Sequence, residues 1–223
     1  MIDIIQNLFI VILAYLLGSI PTSVIISKKF FNIDIREYGS ENAGTTNTIR
    51  ILGWKAGIVV FIVDVLKGWI AVNLVRLTNF YIPDTGEFIN FQLILGIAAI
   101  LGHIFPVFAQ FKGGKGVATL FGFILGISPL ATLVCAGIFI VVLLLTKYVS
   151  LSSMIAGLAF PIVLIFVVKT TTQSLIIFSI IVSLLLLFTH QKNIERLIRK
   201  EENKALFLMS KRKREEFKQR KRA

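Results

Sequence analysis

Apolar stretches close to the width of a lipid bilayer constrain this chain most. They lie at about residues 4–26, 51–76, 91–108, 119–145, 150–168 and 172–189. Roughly 20 helical residues cross the hydrocarbon core, and each stretch comes near that length. Composition agrees: 56% of the 223 residues are apolar or aromatic and 16% are charged, against about half and a quarter in a soluble domain. The sequence therefore predicts an all-α, polytopic integral membrane protein. Soluble globular, disordered, collagen-like and disulfide-rich classes are excluded. The lone Cys135 has no partner in the chain, and no Cys-based zinc site can be built.

The net charge of +12 resembles a nucleic-acid signal until it is mapped. Residues 190–223 hold 13 Lys or Arg against 5 Asp or Glu, which is +8 of the total. A basic tail beside apolar spans reads as positive-inside topology with an anionic-lipid contact, not as nucleic-acid binding. The first stretch is preceded by Asp3, and no Lys or Arg appears before Lys28. A signal peptide needs a basic leader, so a retained span is expected. Lys28, Lys29, Arg36 and Arg50 place the 27–50 loop inside, and Lys112 and Lys115 do the same for the 109–118 loop. The 77–90 loop carries only Asp84 and Glu87 and falls outside, as does the N-terminus. Three stretches then separate two inside segments, which parity forbids. Either the 119–145 run breaks at Gly126-Ile127-Ser128-Pro129, where Pro interrupts a helix, giving about seven spans, or one later stretch does not cross and the count is five.

Polar residues gather in three islands on the inside face. The first runs from Gly39 to Arg50, where small hydroxyl and amide residues with two glycines suit a phosphate or a polyol. It also reads as a turn with an N-cap. The second is Gly102 to Phe108 followed by Phe111 to Thr119. Its glycines admit close backbone approach, Lys112 and Lys115 add charge, and a helix from Val117 would offer its N-terminus. This is not a Walker A spacing, and a positive-inside turn would look similar. The third comprises His190, Asn193, Arg196, Glu201, Glu202, Asn203 and Lys204, which an amphipathic solvated helix would also explain. His190-x4-Glu195 has Glu where an HxxxxD motif needs Asp. Asp64 and Lys67, three apart inside the second span, read as an intramembrane ion pair. Together the islands describe a site for a phosphorylated polar molecule beside helices able to hold an acyl chain.

Ser40-Glu41-Asn42-Ala43-Gly44-Thr45-Thr46-Asn47 resembles the SxNxGATN motif of the bacterial acyl-phosphate:glycerol-3-phosphate acyltransferases. GHIFPVF at 102–108 and FKGGKGVAT at 111–119 are similar to that family's second motif. Asn193-Ile194, Arg196-Leu197 and Glu202-Asn203-Lys204 resemble its third, NIxRLxxGxENK. Gly18-Ser19-Ile20-Pro21 and Asp64-Lys67-Gly68 add to the likeness, which spans about residues 14–204. Thr45 stands where the family has Ala, and Lys200 where it has Gly.

The resemblance implies transfer of a fatty acyl group from acyl phosphate to the 1-position of glycerol 3-phosphate. Lysophosphatidate and phosphate would be the products, in the first step of phospholipid synthesis. It implies a seven-helix membrane domain over 1–189 with motif loops near 27–50 and 109–119, and a cytoplasmic tail over 190–223. The site would face the cytoplasm of a bacterial inner membrane, without metal or CoA and without nucleic acid. Membrane lipid and the soluble acyl-phosphate-producing enzyme are the expected partners. Ser40, His103 and Asn193 are the expected catalytic residues. Arg50, Lys112, Gly113, Gly114, Lys115 and Gly116 would hold phosphate, and Asn42, Gly44, Thr46, Asn47 and Glu202 would position substrate. Two rival readings remain: an anionic-solute transporter, which would want repeated halves and a midplane site, and an anchor recruiting a partner through its tail.

Overall fold

The structure, a computed structural model, describes residues 2–205. The basic tail beyond Ala205 lies outside the described residues, so the 190–223 expectation is met only over its first part. The described residues are helical and contain no strand. Ten α-helices follow in order: α1 (Ile2–Gly18), α2 (Thr22–Phe31), α3 (Thr45–Leu52), α4 (Trp54–Asn73), α5 (Gly86–Ile104), α6 (Val117–Ile127), α7 (Pro129–Thr146), α8 (Val149–Val163), α9 (Gln173–Thr189) and α10 (Gln191–Ile198).

Breaks within the apolar stretches have local causes. The 4–26 stretch divides at Gly18–Pro21, and α2 leaves α1 at 41°, because Pro21 has no N–H to offer the ladder. The 51–76 stretch divides at Gly53, whose φ of 89° lies outside helical space; α3 takes Ile51 and Leu52. The 119–145 run breaks at Ser128, as expected, with Pro129 opening α7 where a missing N–H costs nothing. Thr85 caps α5 by accepting from the Phe88 N–H, which moves that helix's start to Gly86, ahead of the expected 91. Pro161 inside α8 is followed by a π turn over Leu164–Val168.

Four helical segments, those at 54–77, 86–109, 129–146 and 149–168, are long and apolar enough to cross a membrane. The number reaches six when the bent pairs α1–α2 and α9–α10 each count as one span. At 11 residues α6 falls short of the roughly 20 needed. The chain is thus a multi-pass membrane protein. Large apolar side chains such as Leu145, Phe166 and Ile12 are exposed on its outside, where lipid tails receive them.

Small residues let the central helices meet. A Cβ on Gly68 would run into the Thr119 carbonyl, and one on Gly122 into the Val65 carbonyl, so α4 and α6 touch backbone to backbone. Gly18 meets α5 at Ala99, and Gly102 meets α1 at Tyr15. Phe123, Phe160 and Phe178 fill the core between α6, α8 and α9. This packing fixes the C-terminal end of α5 against the α1–α2 break and the start of α6, where the polar residues gather.

Candidate active site

Two buried polar clusters lie at that end, joined by one glycine loop. The first forms around Asp64 on α4. Lys67 donates to Asp64 Oδ1 at 2.8 Å and to the Ile20 carbonyl at 3.0 Å, beside the α1–α2 break. Thr22 Oγ1 donates to the same Asp64 oxygen at 3.1 Å. His103, the penultimate residue of α5, sets Nδ1 3.1 Å from Thr119 Oγ1 and 3.8 Å from Asp64 Oδ1. All five side chains are buried. A buried charge this deep is tolerated because it is paired and hydrogen-bonded. The expected Asp64–Lys67 ion pair is present, and it belongs to a network that also orients His103.

The second cluster forms around Glu202. Its Oε1 accepts from Asn193 Nδ2 at 2.8 Å and from Ser150 Oγ at 2.7 Å. Lys115 Nζ donates to Asn193 Oδ1. Glu202 Oε2 is buried and has no hydrogen-bond partner among the described residues. Arg50 and Arg196 lie near enough for their charge to bear on Lys115. Burial is the main reason the Lys115 ammonium is held low, at about 8, with Glu202 pulling the other way and the two arginines adding to the lowering.

The loop between the clusters is pinned to the end of α5. Gly113 N–H donates to the Ile104 carbonyl at 3.2 Å, and Gly114 N–H to the His103 carbonyl at 3.1 Å. A side chain at Gly114 would strike the His103 ring and crowd the Ala43 carbonyl, so glycine is required for the three motifs to approach. Gly116, at φ 78°, turns the chain into α6. Successive residues Gly114 and Lys115 therefore touch different clusters.

Seven of the fourteen expected site residues converge here: His103, Gly113, Gly114, Lys115, Arg50, Asn193 and Glu202. Asn47 takes a different part. Its amide is buried, donating to the Ile35 and Tyr38 carbonyls and accepting from Ser40 N–H at 2.9 Å. It fixes the Ser40 backbone and does not itself face the cleft. Gly44 precedes α3 as its N-cap. Asn42 and Ser40 are partly exposed on the same loop, and Thr46 is partly exposed in the first turn of α3. Lys112 is exposed and makes none of the cluster contacts. Thr22 and Ser150 were not expected in the site, while Asp64 and Lys67 were expected only as an ion pair and Thr119 only as the end of the second motif. For Thr22 and Ser150, hydroxyls inside apolar stretches were the available signal, but hydroxyls in helices so often bond their own backbone that nothing in the sequence singles these two out. Among the described residues no three of His, Cys, Asp or Glu gather as metal ligands.

Lys200, where the resembled motif has Gly, has φ 59°. The backbone keeps the left-handed form that glycine suits, so the change leaves Glu202 in place.

Residues 8–200 match the family model described as glycerol-3-phosphate acyltransferase. A glycerol-3-phosphate acyltransferase of Staphylococcus carnosus is 46% identical over 196 residues, covering 86% of this chain and 95% of the relative. One from Chlorobaculum tepidum is 42% identical, covering 90% and 97%. The fold is similar to a crystal structure of an integral membrane glycerol 3-phosphate acyltransferase in its glycerol 3-phosphate form. That match has a TM-score of 0.79 and 38% identity, and covers 89% of this chain and 95% of the other. Its lysophosphatidic acid form gives a TM-score of 0.76 at 36% identity, with the same coverage. The chain belongs to the glycerol-3-phosphate acyltransferase family, and is an acyltransferase built into the membrane.

Proposed function

We propose that this chain transfers a fatty acyl group from acyl phosphate to the 1-hydroxyl of glycerol 3-phosphate, releasing lysophosphatidate and phosphate. One observation carries the reading: Gly113 to Lys115 run directly from the buried His103 cluster to the buried Glu202 cluster. Forms of a related enzyme named for glycerol 3-phosphate and lysophosphatidic acid, an acceptor and its acylated product, support it. The exposed apolar helices beside the cleft leave room for the acyl chain in lipid.

In this reading Lys115 and Arg50 hold phosphate together with the Gly113, Gly114 and Gly116 backbone, and Lys112 supplies long-range charge at the rim. Ser40, Asn42, Gly44 and Thr46 form one wall, with Ser40 held by Asn47. Asn193 orients the Lys115 ammonium. Glu202 Oε2 accepts from a glycerol hydroxyl. The hydroxyl oxygen attacks the acyl carbonyl carbon, the new ester C–O bond forms, and the bond from that carbon to the phosphate oxygen breaks. Phosphate is a good leaving group, so the site supplies anion clamps and alignment more than covalent catalysis. The hydroxyl proton passes to His103 or to the departing phosphate. In H103Q, loss of turnover with acceptor binding intact assigns it to His103, and retained turnover assigns it to phosphate.

The basic loops orient the cleft to the cytoplasm of a bacterial inner membrane. There a soluble enzyme could deliver acyl phosphate for the first step of phospholipid synthesis. Residues 1–189 would form the membrane domain, and 190–223 a cytoplasmic tail carrying the third motif. The test is purified protein in micelles with labelled glycerol 3-phosphate, offered palmitoyl phosphate or palmitoyl-CoA. Labelled lysophosphatidate with palmitoyl phosphate alone is expected. Product from the CoA ester alone would replace the donor, and none from either, in folded protein, would overturn the reading.

A further inference from the structure

Beside the cleft, and sharing Pro21 with it, lies a cavity of about 500 Å³ between α2 and the turn after α5. No residue assigned above to acyl transfer lines it. Phe108, Ala109 and Gln110 form one wall. The other is α2 and the segment after it, where Val24 and Ile25 lie one helical turn before Lys28 and Lys29, with Arg36 beyond, and no carboxylate lines the cavity. Asp34 stands behind this wall, 2.6 Å from Arg36 and 3.1 Å from Lys28. The Arg36 hydrogen bond is the main reason its carboxyl sits well below the usual range. Asp34 thus pairs with two of the three cations, Glu37 also acts on Arg36, and the three cations still outnumber these two carboxylates. Arg36 also donates to the Ala109 carbonyl at 2.9 Å, tying the two walls together. Lys28 is 56% exposed and Lys29 is exposed.

The rim is aromatic. Phe108 of the lining is 61% exposed and Phe30 is 67% exposed, with the Lys29 ammonium 5.8 Å from the Phe30 ring. Lysines at a helix end can lay their stems along such apolar side chains and keep their ammonium heads at the membrane surface. A free anion would need no apolar wall, and an acyl chain alone would need no cations. We propose that this cavity binds the phosphate head of an anionic membrane phospholipid, with its acyl chain along Val24, Ile25 and Phe108. Because Pro21 borders both cavities, the bound lipid would brace the α1–α2 break that Lys67 holds from the cleft side.

The test uses the full chain in phosphatidylcholine nanodiscs, titrated with spin-labelled phosphatidylglycerol or spin-labelled phosphatidylcholine. Wild type should retain the phosphatidylglycerol label in preference. K28Q/K29Q should lose about tenfold of that preference, and K28R/K29R should keep it. The basic tail is present in all three proteins, so the difference isolates the cavity. An undiminished preference in K28Q/K29Q would overturn the proposal. So would displacement of the label by a non-reactive alkyl phosphonate mimicking the acyl donor, which would make the cavity the donor's seat.

Discussion

Lys115 gives the residue scale its sharpest test. Burial lowers its ammonium to about 8 from the ordinary 10.5, so its charge is lost as pH rises through 8. A phosphate monoester is already dianionic there. The KM for glycerol 3-phosphate should therefore climb above pH 8 in wild type and stay flat to pH 10 in K115R, as initial rates would show. Loss of fold cannot explain that rise. Between about 8 and 10.5 the unfolded chain binds the extra proton, so this residue's contribution to stability increases with pH. Lys200 offers a second test. Its left-handed φ costs a non-glycine residue about 1 kcal/mol, so K200G should raise the thermal midpoint, and the β-branched K200V should lower it. The motif positions were legible in the sequence because glycines, amides and lysines interrupted apolar text. The roles of Asn47 and Ser150 were not. Asn47 turns back on its own loop, and Ser150 meets a carboxylate 52 positions away, a pairing only tertiary structure creates.

At the scale of elements, backbone contact between α4 and α6 supports the Asp64 network from below. Gly122 admits no side chain without displacing the Val65 carbonyl. G122V should therefore destabilise the protein by about 1–3 kcal/mol. It should also lower activity by moving Thr119 away from His103, measured as thermal midpoint and turnover in the same detergent. The break at Pro129 was legible because proline in an apolar run has one strong consequence. The break at Gly53 was hidden within a continuous apolar stretch, since a glycine inside a helix and one at φ 89° read alike in sequence. The kink at Gly18–Pro21 carried the same proline signal, but the apolar residues on both sides of it read as one span.

At the scale of the whole molecule, all three motif regions come together although 162 positions separate Ser40 of the first motif from Glu202 of the third. Apolar pattern alone placed them at span ends, and their convergence needed the helix packing. Orientation can be tested by single cysteines in a C135A background. Cysteine at Asp84 should react with an impermeant maleimide from outside intact cells, and cysteine at Lys112 only after permeabilisation. The reverse pattern would invert the topology.

The central claim is that phosphate and acceptor meet where the glycine loop joins the two clusters. Its most direct test is the rate of labelled lysophosphatidate formation from palmitoyl phosphate by wild type and E202Q, both shown to be folded. Glu202 aligns Asn193, which holds Lys115, and misalignment of this kind costs about a hundredfold. A loss of that order in kcat/KM is the predicted result, and an E202Q rate equal to wild type would contradict the account.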